Sequence, residues 1–266
     1  MNLNSNPEDI QINNKFLYIW IDILGFREDL NNPKIYDDLF KIREEFKNCF
    51  AIEEIKAKAV VSISDGLVLV WELSELTSNE ITKIFDALGK LQMQFILEQK
   101  KVLRGAIAIG DVSINLYRKF TKNQNNQQEN QKEELKDIFL ISNGLVKAYI
   151  MESKDIKWPI IATTYEVLEE IRKFLRIDNE TEQFGLKKIN GNNHFYLYMI
   201  DFLSLEEEKL IEYEDFLLSK LNEYANSKND KNKSIFDKYY WLLKYLEKKY
   251  NFNKKRFNKF YDGVLI

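Results

Sequence analysis

Two runs of this 266-residue chain constrain its fold most: residues 16–26, FLYIWIDILGF, and residues 60–70, VVSISDGLVLV. Both are apolar stretches of the kind that form buried strands, and each holds one acidic residue, Asp22 or Asp65. An ionised carboxylate in such surroundings is costly to desolvate unless a cation compensates it. Asp65 precedes Gly66, and Asp-Gly between apolar runs is a strong hairpin signal, so Asp65 taken alone is explained as a turn former. Asp22, between Ile21 and Ile23, has no such explanation. Presented together at one end of a sheet, the two carboxylates would suit a divalent ion and a phosphate substrate.

Around these runs the pattern predicts alternating strands and helices. Residues 15–25 are apolar on both faces, as a central strand requires. A helix is expected over 33–50, with Ile35, Leu39, Ile42 and Phe46 on one face. Residues 56–73 read as a hairpin turning through Asp65-Gly66. Thr77 and Glu80 form a capping box before the apolar face of Ile81, Ile84, Phe85, Leu88, Leu91 and Phe95. A strand over 102–114 carries Gly105 and Gly110, which mark close backbone approach. Residues 119–136, rich in Asn, Gln, Lys and Glu, lack the apolar content to pack and are expected to form a mobile loop. A strand (138–142), a helix (143–153), a strand (158–162), a helix (163–175) and a hairpin ending in a strand over 194–202 follow. Two helices, 204–225 and 233–250, close the chain.

The β-α-β-β-α-β order predicts an α+β fold, a ferredoxin-like palm sheet with helices on one face, plus a C-terminal helical appendage. The expected units are an N-terminal stretch (1–14), a catalytic domain (15–203) and the appendage (204–266). Composition narrows the function. A net charge of −3 argues against a generally basic nucleic-acid binder, and nucleic acid is not an expected partner. The single Cys49 excludes a disulfide framework and the single His194, read as a packing residue, excludes a His/Cys zinc cluster. Residues 1–14 are polar, and no apolar run approaches a membrane span, so a soluble, cytoplasmic protein is expected. Residues 228–260 hold 11 Lys or Arg against 3 acids, interleaved with aromatics. That mixture could contact nucleic acid, but aromatics at helical spacing are more often a packing face with lysines on its wet side.

Four motifs, in order and at the right spacing over residues 16–162, resemble class III nucleotide cyclases. Ile21-Asp22-Ile23-Leu24-Gly25-Phe26 resembles their Asp-Ile-x-Gly-Phe signature, and Ile63-Ser64-Asp65 their second metal-binding hairpin. Leu103-Arg104-Gly105-Ala106-Ile107 resembles their Arg-x-Gly-Ile strand, and Ala148 to Ser153 the end of their Asn- and Arg-bearing helix. The closer match is to a bacterial group that includes or lies near the pyrimidine cyclases of Pycsar anti-phage defence. The resemblance implies attack of a ribose 3′-hydroxyl on the α-phosphorus of a nucleoside triphosphate, giving a 3′,5′-cyclic nucleotide and pyrophosphate. It further implies that Asp22 and Asp65 hold two divalent ions (Mg²⁺ or Mn²⁺), that Arg104 meets charge on the phosphates, and that Gly25 and Phe26 contact substrate. A homodimer with composite sites is implied as well, and a cyclic-nucleotide-responsive effector encoded nearby.

The chain departs from that pattern in two places. In the family register Val146 and Ile150 stand where the catalytic Asn and Arg would be, and Val61 and Phe139 replace the Lys and Asp that read a purine. Apolar groups there disfavour ATP and GTP, whereas an aromatic could stack on a pyrimidine, so UTP or CTP is the expected substrate. Asn143 and Lys147, also four residues apart and one turn earlier, would return an amide and a cation if the helix were shifted. The plainer reading makes Asn143 a helix cap and Lys147 a solvated residue. Two further functions stay open: a catalytically silent nucleotide-binding sensor on the same scaffold, favoured by the losses at 146 and 150, and another palm chemistry such as cyclic dinucleotide synthesis.

Overall fold

The computed structural model describes residues 11–24, 44, 57–63, 66–117, 137–176, 184, 186–190, 196–202, 207–225, 230–250, 254–258 and 260. Gly25, Phe26, Asp65 and His194, the 119–136 segment and all of the expected helix over 33–50 except the helical Glu44 lie outside them. In chain order the elements are β1 (Gln11–Ile23), β2 (Ala59–Ile63), β3 (Gly66–Glu72), α1 (Ser78–Gln94), β4 (Leu103–Tyr117), β5 (Asp137–Ser142) and α2 (Asn143–Ile150). They continue with β6 (Ile161–Thr164), α3 (Tyr165–Leu175), β7 (Leu186–Asn190), β8 (Tyr196–Ile200), α4 (Glu207–Tyr224) and α5 (Asp230–Lys249). Single π-helical turns extend α1 over Phe95–Gln99 and α2 over Met151–Asp155.

The strands form one eight-stranded mixed sheet in the order β2-β3-β1-β4-β6-β8-β7, with β5 also paired to β4. Its first four strands are antiparallel and follow the ferredoxin-like palm order, and β6 joins β4 in parallel. The class is therefore α+β. β1 is central, between β3 and β4, because its side chains are apolar on both faces. Leu17, Ile19, Ile21 and Ile23 pack under α1 and α3, together with Ile84, Phe85, Leu168 and Ile171. Phe16, Tyr18 and Trp20 point the other way, into a cluster with Ala148 and Met151 of the α2 segment and Leu217, Leu242 and Leu246 of the C-terminal helices. Helices thus cover both faces, not one as the element order alone predicted; a strand apolar on both sides needs a second layer.

Two local differences have plain causes, and one expected close approach is present. Gly66 pairs with Ile63 and is the first residue of β3, so the reversal precedes it instead of running through Asp65-Gly66. The expected strand over 158–162 begins only at Ile161, because Pro159 has no N–H for a ladder and Ile160 N donates back to the Trp158 carbonyl at 2.8 Å. α2 crosses β4 at two glycines: a Cβ on Gly110 would overlap the Gly144 backbone, and one on Gly144 would overlap the Tyr18 ring.

The aromatic C-terminal helices pack on the core. Trp241 stacks on Trp158 at 5.7 Å, and Tyr245 lies 5.6 Å from Phe202. Asp201, just after β8, accepts hydrogen bonds from the Tyr245 hydroxyl and, at 2.7 Å, from Lys249. Burial pushes the Asp201 carboxyl up, but those two donors outweigh it and hold it below its ordinary value. Among the described residues no helix is long and apolar enough to cross a membrane.

Candidate functional site

Asp22 sits one residue from the end of β1, opposite Gly66 on β3 and Arg104 on β4. Strand alternation gives it the face of Tyr18 and Trp20, the side on which the α2 segment lies. Arg104 Nη2 is 3.6 Å from Asp22 Oδ2 and forms an ion pair with Glu152 Oε1. Its Nη1 donates to the Ile156 carbonyl at 3.5 Å. The side chains of Arg104, Asp22 and Glu152 are 18, 20 and 4% exposed, so one guanidinium lies between two carboxylates in a largely water-free setting. Four-residue spacing from the buried Gly144 and Ala148 delivers the acid: Met151 and Glu152 face inward while Ser153 and Lys154 face solvent. Gly105, next to Arg104, lets β4 lie close against β1, since a Cβ there would be 2.5 Å from the Trp20 carbonyl oxygen.

This end of the sheet brings Asp22 and Arg104 together as neighbours. Asp65, the other expected metal ligand, precedes Asp22's cross-strand partner Gly66 and lies outside the described residues. Among the described residues there is no group of three or more His, Cys, Asp or Glu able to hold a metal ion. Asp22 is a hard oxygen donor on a partly exposed strand end, which fits Mg²⁺ or Mn²⁺ completed by a second carboxylate and substrate phosphates.

Asn143 and Lys147 are not at this end in the same protomer. Ser142 is the true cap of α2, accepting from Gly144 N and Leu145 N. Asn143 instead braces β4: its Oδ1 accepts from Asp111 N at 2.8 Å and its Nδ2 donates to Asp111 Oδ2 at 3.4 Å. Lys147 is exposed and donates to the Ile109 carbonyl at 3.5 Å. Asp111 also pairs with Lys15 at 3.1 Å, and that hydrogen-bonded ammonium holds the Asp111 carboxyl below its ordinary range. The outer face of α2 carries Val146, Tyr149 and Ile150, which are 55, 52 and 41% exposed, with Tyr149 edge-on to Trp20 at 5.3 Å. Of the two positions expected to meet the base, Val61 is an exposed residue of β2, and Phe139 lies on β5 opposite Asn115.

Sequence reasoning missed the roles of Glu152 and the Ile156 carbonyl. The one available signal was that Glu152 follows Met151 at the end of an otherwise apolar helix run, where a solvated acid and a buried one look alike.

No family model and no curated protein matches the chain. Solved structures similar in fold include the adenylyl cyclase CyaB from P. aeruginosa, at 12% identity over 73% of this chain and 96% of that one, with TM-score 0.46. The monomeric guanylyl cyclase domain of the RhoGC fusion protein from the aquatic fungus Blastocladiella emersonii (an E497/C566D double mutant) is 13% identical over 70% and 94%, with TM-score 0.46. The guanylate cyclase domain of RhGC from Catenaria anguillulae, solved in complex with GTP, is 13% identical over 70% and 96%, with TM-score 0.44. At such identities and TM-scores below 0.5, nothing about the reaction follows from the likeness.

Proposed function

We propose that this chain is a nucleotide cyclase that converts a nucleoside triphosphate, UTP or CTP by preference, to a 3′,5′-cyclic nucleotide and pyrophosphate. The observation that carries the reading is the register at the end of β1, where Asp22 faces both Arg104 and the residue that follows Asp65. In the reaction the 3′-oxygen forms a bond to the α-phosphorus, the bond from that phosphorus to the bridging oxygen breaks, and the hydroxyl proton passes to solvent. Asp22 and Asp65 would hold two divalent ions. The chemistry supplied by Mg²⁺ or Mn²⁺ bound there is acidification of the 3′-hydroxyl and neutralisation of the departing phosphates. Arg104, already held near Asp22, orients that carboxylate and adds positive charge beside the phosphates. Gly25 and Phe26 contact the substrate as it enters past the end of β1. The apolar Val61 lines the base pocket and disfavours purines; Phe139, opposite Asn115 and far along β4 from the level of Val61, would join such a pocket only from the partner copy.

The site is completed by a second copy of the chain. The exposed apolar strip Val146, Tyr149 and Ile150 supports this, because three such residues on one helix face are usually covered in an assembly. Of the two helix residues offered for this role, Asn143 or Lys147, it is Lys147 that then reaches the partner's Asp22 end, because the Asn143 amide is held by Asp111. Closeness to the Pycsar-type pyrimidine cyclases, a role in anti-phage signalling through a nearby effector, a cytoplasmic location and the division at residue 203 belong to this same reading. Incubation with each of the four nucleoside triphosphates and Mn²⁺, followed by product mass, tests it. Cyclic UMP or cyclic CMP should dominate. A cyclic purine product overturns the base assignment, a dinucleotide or oligomer points to another palm chemistry, and binding without turnover leaves the sensor reading.

A further inference from the structure

Two acids hold Arg104, and they hold it unequally. Its Nη2 is in direct ion-pair contact with Glu152 Oε1 but 3.6 Å from Asp22 Oδ2, beyond hydrogen-bond range. Nη1 donates to the Ile156 carbonyl at 3.5 Å. The remaining nitrogen, Nε, is buried and makes no hydrogen bond among the described residues, so the two terminal nitrogens alone aim the guanidinium. The Glu152 side is also the fixed side. Ile156 N donates to the Met151 carbonyl at 3.0 Å, and Gly105 N to the Ile160 carbonyl at 2.9 Å. Those bonds tie the segment that carries Glu152 and the Ile156 carbonyl to the strand that carries Arg104.

Asp22 is the candidate ligand for Mg²⁺ or Mn²⁺, and these ions bind carboxylate oxygens at roughly 2.1 Å. With Arg104 Nη2 at 3.6 Å from Asp22 Oδ2, an ion on that oxygen would lie no more than about 6 Å from the guanidinium. Positive charges that close, in a setting where the side chains are only 18 and 20% exposed, repel one another. Arg104 therefore competes with the ion for Asp22. Glu152 decides how strongly, because its buried carboxylate both draws the guanidinium off Asp22 and offsets its charge. The long Asp22 contact is the one that yields when a cation arrives, while the short Glu152 contact keeps Arg104 in place.

We propose that Glu152 is a positioning residue that sets the divalent-ion affinity of Asp22 through Arg104, without itself touching the ion. This role rests on Asp22 as a metal ligand, as the proposed function has it, but not on turnover. The test is Mn²⁺ binding to the full-length protein without nucleotide, followed by electron paramagnetic resonance of the unbound ion; the site in question is the one lost in Asp22→Asn. Glu152→Gln leaves the Arg104 charge to Asp22 and should weaken Mn²⁺ binding roughly tenfold. Arg104→Gln should tighten it several-fold. The R104Q/E152Q double variant should bind as tightly as Arg104→Gln, because Glu152 acts only through Arg104. A purely structural pair would give no variant of raised affinity, and a Glu152 that attracted the ion directly would weaken binding equally with and without Arg104. Should Glu152→Gln fold poorly, the double variant, which removes both charges together, must still bind Mn²⁺ more tightly than the natural chain. No Mn²⁺ binding by the natural chain at millimolar concentration, binding undiminished in Asp22→Asn, an unchanged constant in Glu152→Gln, or weaker binding in Arg104→Gln each overturns the proposal. The reaction fails separately: the expected shifts without a cyclic product from any of the four triphosphates remove the cyclase and leave the role of Glu152, whereas product with unshifted Mn²⁺ constants does the reverse.

Discussion

The two ends of the β1–β4 ladder carry the same arrangement in opposite surroundings. At one end Arg104 lies between Asp22 and Glu152; at the other, seven residues away along β1, Lys15 lies between Asp111 and Glu170. The separation is about 23 Å. The first cation is 18% exposed and its acids 20 and 4%, whereas Lys15 is 39% exposed and its acids 50 and 40%. Exposed pairs contribute about 0–1 kcal/mol, because water solvates either charge almost as well as its partner does. Buried ones are held by necessity: a guanidinium out of water must have its carboxylates, and it fixes their positions in return. The choice of cation follows the setting, since a planar guanidinium can serve Asp22, Glu152 and the Ile156 carbonyl at once, while an ammonium suffices in solvent. The buried end is therefore where geometry is enforced, and that is where catalysis is proposed.

The sharpest way to break this contrast is to neutralise one acid at each end. Asp22→Asn keeps the size of the side chain and leaves Arg104 paired with Glu152, so the fold should persist. Turnover in the presence of Mn²⁺ should nonetheless fall by about 10³-fold or more, on the scale of other lost transition-state contacts. Asp111→Asn should leave turnover within about twofold, in keeping with its solvent-exposed setting. Steady-state rates on the best triphosphate decide it, and equal losses at the two ends would remove the functional distinction.

The second effect is on stability. Glu152→Gln leaves the Arg104 charge short of a buried partner, and breaking a buried pair from one side costs about 3–5 kcal/mol. Lys15→Gln should cost less than about 1 kcal/mol. Urea midpoints of the two variants, compared at constant slope, measure the difference. Comparable shifts would mean that water reaches Arg104 after all.

How much of this contrast was readable in the sequence depends on the element that carries each residue. Asp22 stood out because a strand apolar on both faces gives a carboxylate nowhere to hide, and Arg104 because it opens a run with Gly105. The capping box of Thr77 and Glu80 and the pairing of β2 with β3 are local signals and were equally plain. Glu152 was not: its spacing from the buried Gly144 and Ala148 puts it on the inward face, but an acid closing an apolar helix run reads equally as solvated or buried until its partner on β4 is known. Nor did periodicity tell which side of β1 each helix would cover, since both sides are apolar. Asn143 read as a cap or a catalytic amide, yet it binds Asp111 on another strand, a contact set by the close crossing at Gly110 and Gly144.

A smaller effect concerns α2, which runs from the exposed end of the ladder to the buried one. Lys147→Ala should lower turnover about 10- to 100-fold if its ammonium meets the partner's phosphates. It should barely move the urea midpoint, because its bond to the Ile109 carbonyl is long and solvated. Mixing this variant with Asp65→Ala should restore activity through heterodimers carrying one intact site each, the pattern expected of a twofold assembly. Full activity of Lys147→Ala by itself would return that residue to a solvated role.

The smallest expected effect is the pH dependence of the exposed end, and its sign is fixed by two opposite shifts. Asp111 is held below its ordinary 3.8 chiefly by the hydrogen bond from Lys15, so its contribution is present above that value and is lost as pH falls through the lower, folded one. Lys15 is raised above 10.5 chiefly by its bond to Asp111, so its contribution is full below 10.5 and is lost only as pH rises through the higher, folded value. Between those limits the pair contributes a constant amount. The melting temperature of Lys15→Gln should therefore lie below that of the natural chain by under about 3 °C near neutral pH. That gap should close as pH falls below 3.8 and through the lower folded value, where Asp111 takes up its proton. A gap that widened on acidification would mean that Lys15 is held mainly by something other than Asp111, and the exposed end would then no longer serve as the solvated counterpart of the buried one.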